Sequence, residues 1–256
     1  QGQWNRRTGK RRGTPAWDLP GRRFVTFLEN HDQVAHSGRG QRPQYLTSPG
    51  RYRAMTTVWL LAPGTPLFFQ GQEFWSSAPF LFFADHHPEL AELVRKGRNE
   101  FLREFHSLSG SDCEAYLADP GAWETFQRCK LDFGERQRHA EIYRMHRELL
   151  RLRRDDPVFA AQNGERIEGA VLGAETFVLR YLGGGDGDRL LLVNLGRSFE
   201  CNPASEPLLA PPDNCVWKLM FSSDDPRYGG AGTALPDETR WLAPSHAALA
   251  FRSESL

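Results

Sequence analysis

Asn30, His31, Asp32 and Gln33 form a run of polar side chains directly after the apolar run Phe24-Val25-Thr26-Phe27-Leu28. A carboxylate fixed beside an imidazole can stabilise positive charge developing on a substrate, and both groups can hydrogen-bond to hydroxyls. Spacing alone favours a plainer role: Asp32 as a helix cap or ion-pair partner, and His31 as a buried, hydrogen-bonded histidine that orients it. A second polar group, Asp85-His86, closes a stretch containing Trp75, Pro79, Phe80, Leu81, Phe82 and Phe83. An apolar wall ending in a few polar groups suits a compact ligand. The same rings could equally cover a core, and Asp85 and His86 could be loop and cap residues.

The elements that would position these residues can be read from periodicity. Phe24–Leu28 has apolar residues at both parities, which predicts a strand covered on both faces, as in parallel sheets. Ser48-Pro49 is a helix start, Tyr52, Met55, Val58, Trp59 and Ala62 continue it, and Pro63-Gly64 stops it. Pro66–Gln70 reads as a second buried strand closed by Gly71, so strand, helix and strand form a βαβ unit. Polar groups at the C-terminal end of such a strand stand where α/β barrels carry chemistry. A further helix is predicted from Pro88 despite Gly97, and a long one from Glu135 to Asp155, ended by Pro157. Beyond Pro157 short alternating runs separated by Gly, Pro and Asp predict an antiparallel sandwich: Glu175–Leu182, Arg189–Leu195, Val216–Phe221, Arg240–Ala243 and Ala247–Arg252. The segment Gly183–Asp188 reads as a hairpin connection. The domain boundary is placed at 156/157, giving units 1–156 and 157–256.

Composition narrows the function classes. The 256 residues carry 32 Lys+Arg against 32 Asp+Glu, so net charge gives no reason to expect nucleic acid or a membrane surface as partner. The basic opening stretch through Arg12 reads as a solvated loop. Cys113, Cys129, Cys201 and Cys215 have no metal-ligand spacing, and read as reduced thiols of a cytoplasmic protein. No apolar run reaches a membrane span. Neither a metal nor an organic cofactor is implied. The start at Gln1, within a polar stretch, suggests a piece of a longer protein.

FVTFLENHDQ, residues 24–33, resembles the region of the alpha-amylase superfamily in which the seventh strand of a (β/α)8 barrel ends in Asn-His-Asp. TPLFFQGQEF, residues 65–74, resembles the eighth strand and its Gly-Gln-Glu, and a β-sandwich after the barrel is the family's habit. Within that superfamily, QGQWNRRTGKRRGTP, APFLFFAD with PELAELVRKGRNEF, TFQRCKLD and WLAP resemble the maltooligosyl trehalose trehalohydrolases. The likeness covers nearly the whole chain. It departs at Gln72-Glu73, where trehalohydrolases carry two acids, and at Phe74-Trp75, where they have Tyr-Gly.

The resemblance implies the C-terminal part of a (β/α)8 barrel, strands seven and eight with their helices, followed by an antiparallel β-sandwich. It implies a retaining glycoside hydrolase that cleaves the α-1,4 bond next to the terminal trehalose of maltooligosyl trehalose. Asp32 takes the place of the family's transition-state-stabilising carboxylate. His31, Gln33, Asp85 and His86 become substrate-binding candidates, with a maltooligosaccharide-type substrate as partner. Retaining chemistry needs a nucleophile and an acid/base about 5–5.5 Å apart. By the resemblance the nucleophile Asp, in a G-x-R-x-D pattern, and the acid/base Glu lie upstream of Gln1, so the chain alone is expected to be inactive. Two alternatives stand beside this: a 1,4-α-glucan branching enzyme, and a non-catalytic glucan-binding protein of amylase-like fold.

Overall fold

The computed structural model describes residues 2–5, 8–16, 18–103, 117–184, 187–201, 205–232 and 241–256. The basic opening is not a featureless loop. It folds into an antiparallel ribbon, β1 (Gln3–Asn5) against β2 (Lys10–Arg12), with Trp4 opposite Arg11.

The predicted βαβ unit is present, with shorter strands. β3 (Val25–Thr26) pairs in parallel with β4 (Thr65–Pro66). Two further bonds extend the ladder: Thr65 N–H donates to Phe24 O and Leu67 N–H to Thr26 O, each at 2.8 Å. The expected burial of both faces is absent, because Phe24, Val25, Phe27 and Leu67 are all exposed. A parallel pair extends and buries itself only between further strands, and among the described residues β3 and β4 have no other strand partner. Helices α1 (His31–His36) and α2 (Pro49–Leu61) connect the two strands.

The start of α2 is set as the sequence predicts. Ser48 accepts from Arg51 N–H at 3.2 Å, and Pro49 occupies the first turn. The helix is buried on most sides, since it lies between the strand pair and the C-terminal sheet. Trp59 Nε1–H donates to Thr26 O at 3.0 Å and ties the helix to β3.

Helix α3 (Pro88–Arg103) runs through Gly97, where a side chain would meet nothing. After α4 (Trp123–Arg128) the predicted long helix is broken into α5 (Glu135–Arg138) and α6 (Ala140–Asp155) at His139. Tertiary bonds explain the break. His139 Nδ1–H donates to Phe74 O at 2.8 Å, while Glu135 accepts from Ser77 N–H and the Ser76 hydroxyl. The buried face of α6 is Ile142, Met145, His146 and Leu149. Arg153, one of the cations crowding its end, caps the neighbouring helix instead: Nη1 donates to Leu60 O at 2.7 Å and Ala62 O at 2.9 Å. Asp156 then caps the short α7 (Pro157–Ala160).

The C-terminal region is antiparallel. Strands β5 (Ile167–Gly173), β6 (Thr176–Tyr181), β7 (Arg189–Asn194), β8 (Phe199–Cys201), β9 (Cys215–Ser222), β10 (Trp241–Ala243) and β11 (Ala247–Ser255) form two sheets. One sheet has the order β5-β6-β7-β11-β9, and the other pairs β10 with β8. All six residues of β7 are buried, and its pleat divides them between two cores. Leu191 and Val193 join Leu60, Met145 and Phe159 on one face; Leu190 and Leu192 join Leu209 and Trp241 on the other. β11 does the same, with Ala248 and Ala250 on the first face and Leu249 and Phe251 on the second. Strands β5 and β8 were not predicted, because Gly169 and Gly173 interrupt the first and the second is only three residues long. The Gly183–Asp188 connection, Cys113 and the side chain of Cys201 lie in part or wholly outside the described residues; Cys129 and Cys215 are free.

Candidate functional site

The polar run stands at the C-terminal end of β3, on the turn into α1. Asn30 is extended, and its Oδ1 accepts from Gln33 N–H at 2.9 Å, so Asn30 is the helix cap rather than Asp32. One helical turn then places Asp32 between two imidazoles. Its Oδ1 lies 3.4 Å from His31 Nε2 and 3.6 Å from His36 Nε2. The Asp32 and His31 side chains are 65% and 68% exposed, so the pair faces outward. Among the described residues nothing covers His31, which the plainer reading has as a buried histidine. His36 sits deeper, against the Phe101 ring of α3 at 4.9 Å. Burial, then the nearby Arg98, lowers its pKa, and Asp32 partly offsets them. Gln33 presents an exposed side chain beside Asp32.

Asp85 and His86 lie exposed at the end of the loop that leads into α3. No hydrogen bond or ion pair among the described residues joins them to the Asn30–Gln33 turn. The aromatic stretch before them packs largely on itself. Phe69, Phe80, Phe83, Phe126 and Trp123 follow one another at centroid distances of 5.0, 5.9, 5.2 and 5.3 Å. Phe82 lies under the Arg98 guanidinium, and Leu81 is buried. Glu73 pairs with Arg136 at 3.5 Å.

Beneath this surface lies a polar network that the sequence did not disclose. Glu29, fully buried, contacts Arg42 Nη1 through Oε1 at 3.4 Å. Arg42 also donates to Ala78 O through Nε and to Gln70 O through Nη1, both at 2.8 Å. Burial outweighs the guanidinium and pushes the Glu29 carboxyl up to about 7. The contact is long and the guanidinium is shared with two carbonyls, so the compensation is incomplete. Tyr52, buried beside Glu29, is pushed well above the usual phenol range by burial and then by that carboxylate. A lone Glu at a strand end and a lone Arg in a polar loop carry no linear signal of such a pairing.

The two loops approach closely because of glycines. Gly40, at φ 64°, accepts from Phe80 N–H at 3.0 Å, and a Cβ there would fall 2.7 Å from the Phe80 carbonyl oxygen. Gly71, at φ 79°, turns the chain after β4. Trp75 is also left-handed, at φ 50°.

Two cavities lie apart from Asp32. One of about 810 Å³ is lined by Leu19, Arg22, Phe24, Gln162 and Asn163; one of about 530 Å³ by Phe68, Leu131, Phe133, Tyr143, His146 and Leu150. Among the described residues no group of three His, Cys, Asp or Glu side chains could hold a metal ion. No helix among them is long and apolar enough to cross a membrane.

Comparison with known proteins bears on this arrangement. Residues 165–249 match a family described as Domain of unknown function (DUF3459). A malto-oligosyltrehalose trehalohydrolase of Deinococcus radiodurans is 38% identical over 192 residues, covering 73% of this chain and 30% of that protein. The chain is similar to the malto-oligosyltrehalose trehalohydrolases of the alpha-amylase superfamily. A trehalohydrolase of Mycobacterium tuberculosis is 37% identical over 208 residues, 80% of this chain and 34% of that one. The chain spans about a third of the length of these trehalohydrolases. A solved structure described as "Putative alpha Amylase from Salmonella typhimurium" superposes with a TM-score of 0.74 at 27% identity, covering 100% of this chain and 39% of that one. Trehalulose synthase MutB from Pseudomonas mesoacidophila shares the fold alone, with a TM-score of 0.52 at 16% identity over 90% of this chain and 43% of that one.

Proposed function

We propose that this chain is the C-terminal part of a retaining glycoside hydrolase that releases trehalose from maltooligosyl trehalose. In this reading β3 and β4 are the seventh and eighth strands of a (β/α)8 barrel, and the boundary to the sandwich falls at 156/157. The observation that carries it is the Asn30-His31-Asp32 turn at the end of a parallel strand, in a chain 38% identical to a trehalohydrolase.

Asp32 acts on the transition state. Cleavage of a glycosidic bond passes through an oxocarbenium-like species, and a fixed carboxylate favours its positive charge. The half-turn capped by Asn30 fixes the carboxylate, and His31, with Nε2 at 3.4 Å from Asp32 Oδ1, can turn its N–H to that oxygen or to a sugar hydroxyl. Gln33 lies on the same exposed turn. Asp85 and His86 approach the leaving part of the substrate from the loop after β4. The nucleophile and the acid/base come from residues upstream of Gln1. A water-poor cleft forms only when those residues cover the open face of the turn, where Asp32 is now 65% exposed. A cytoplasmic maltooligosaccharide pool is the setting that suits such an enzyme.

The test is to give the intact protein maltooligosyl trehalose and a maltooligosaccharide of equal length, then separate the products. Free trehalose and a shortened maltooligosaccharide, formed faster than any product of the plain glucan, are expected. Equal cleavage of both, or a new α-1,6 branch without trehalose, overturns the assignment.

A further inference from the structure

We infer that Arg42 is a positioning residue that locks the strand end bearing Asp32 to the loop that leaves β4, so that the two rims of the site hold one geometry. The inference rests on the proposed role of Asp32. One buried guanidinium meets three separate segments: Glu29, the residue before the Asn30 cap; Gln70, just beyond β4; and Ala78, at the start of the aromatic loop. It also lies 5.2 Å over the Phe69 ring. Its neighbours along the chain hold the same loop. Gln44 Nε2 donates to Ser76 O at 3.1 Å, and the Tyr45 hydroxyl to Trp75 O at 3.4 Å. Residues 42–45 thus grip the 70–78 loop at four carbonyls, and Arg42 carries that grip across to Glu29.

The pair is poorly explained as a source of stability. A buried ion pair seldom outweighs its desolvation, and this one leaves Glu29 Oε2 and Arg42 Nη2 without a partner among the described residues. What a planar, rigid fork does well is to fix directions, and lysine cannot reproduce three such directions from one point.

The experiment compares R42K and E29M with the wild-type intact protein by backbone hydrogen exchange and by kcat and KM. R42K should accelerate exchange about tenfold or more in residues 28–36 and 70–80 together, and leave helix 49–61 as it was. E29M should loosen 28–36 alone. Both should lower kcat about tenfold while KM stays within about twofold, because the loss falls on the transition state. If R42K does not fold, E29M decides through its exchange pattern and kcat. Exchange rising in one segment only for R42K, no rise in 28–36 for E29M, or unchanged kcat despite loosened segments overturns the inference. Rates are read on whichever α-glucan the wild type cleaves. Absence of trehalose from the wild-type products therefore defeats the proposed function, while the exchange pattern still judges Arg42.

Discussion

Asp156 accepts from Arg189 Nε at 2.8 Å with both side chains buried, and this bond joins the end of α6 to the centre of the C-terminal sheet. Asp156 does a second task, since its Oδ1 accepts from Val158 N–H and Phe159 N–H at 3.1 Å. Removing one member of a buried pair leaves the other charge uncompensated, which typically costs about 3–5 kcal/mol. R189M should therefore lower the stability of the intact protein by about that amount. D156N keeps the cap geometry and should cost less than D156A. Denaturant unfolding of the three variants checks the order.

Glu29 predicts a pH dependence of stability. Its carboxyl is raised from 4.5 to about 7, so the folded state holds the proton more tightly than the unfolded state. The associated stability is fully present below about 4.5 and is lost as pH rises through about 7. His146 works the other way. Burial pushes it from 6.5 down to about 4, so it contributes stability above 6.5 that is lost as pH falls toward 4. The difference profile of wild type minus E29Q cancels the histidine. It should fall on the order of 2–3 kcal/mol between pH 4.5 and 7 and be flat above about 8. A flat difference across the whole range would show that Arg42 fully compensates the carboxylate.

Arg153 should matter through carbonyls rather than charge. It donates to Leu60 O, Ala62 O and Gly64 O, the acceptors left open where α2 ends. R153M should destabilise by about 1–3 kcal/mol because those buried acceptors lose their donor. R153K should recover only part of the loss, since an ammonium cannot reach all three with a planar fork. Thermal unfolding of the pair separates the two effects.

Local signals in the sequence survived folding, and tertiary ones did not show in it. The Ser48-Pro49 start of α2 and the apolar runs of β7 and β11 were legible because each depends on residues next to one another in the chain. His139 broke the predicted long helix because Phe74 O competes for its imidazole, and no periodicity records a partner so distant along the chain. Phe24 to Leu28 reads as a buried strand, yet Val25 is 57% exposed, since burial depends on what lies beside the strand. At the site, Asn30–Gln33 could be picked out as a polar cluster after an apolar run. The Asn30 cap and the place of His36 beside Asp32 could not, because they follow from one helical turn that short polar stretches do not announce.

Asp32→Asn tests the proposed chemistry most directly. The substitution keeps the shape and one acceptor oxygen, turns the other into an amide donor, and removes the charge. With 65% of the side chain exposed and its two ion-pair contacts made to histidines, little stability should be lost. In the intact protein kcat should fall about 10²–10³-fold, with KM changed little. A near-normal kcat in steady-state assays would leave Asp32 as a surface partner of His31 and His36.

The chain on its own should bind no glucan productively and should associate. In the proposed (β/α)8 barrel β3 and β4 would be two of the eight strands, and a barrel fills its interior only on closure. Phe24, Val25, Phe27 and Leu67 are left in water around two short strands with open edges. Exposed apolar strands with unpaired backbone are templates for pairing with other chains. The antiparallel part differs: β7 and β11 are covered on both faces, and α2, α6 and α7 complete the first core. Light scattering of the purified chain should therefore show concentration-dependent association. Val25→Lys and Leu67→Lys, which charge the exposed strand positions, should suppress it without loss of β-sheet circular dichroism. Release of reducing sugar from maltooligosaccharides by the monomeric double variant would contradict the assignment of the nucleophile and acid/base to residues before Gln1.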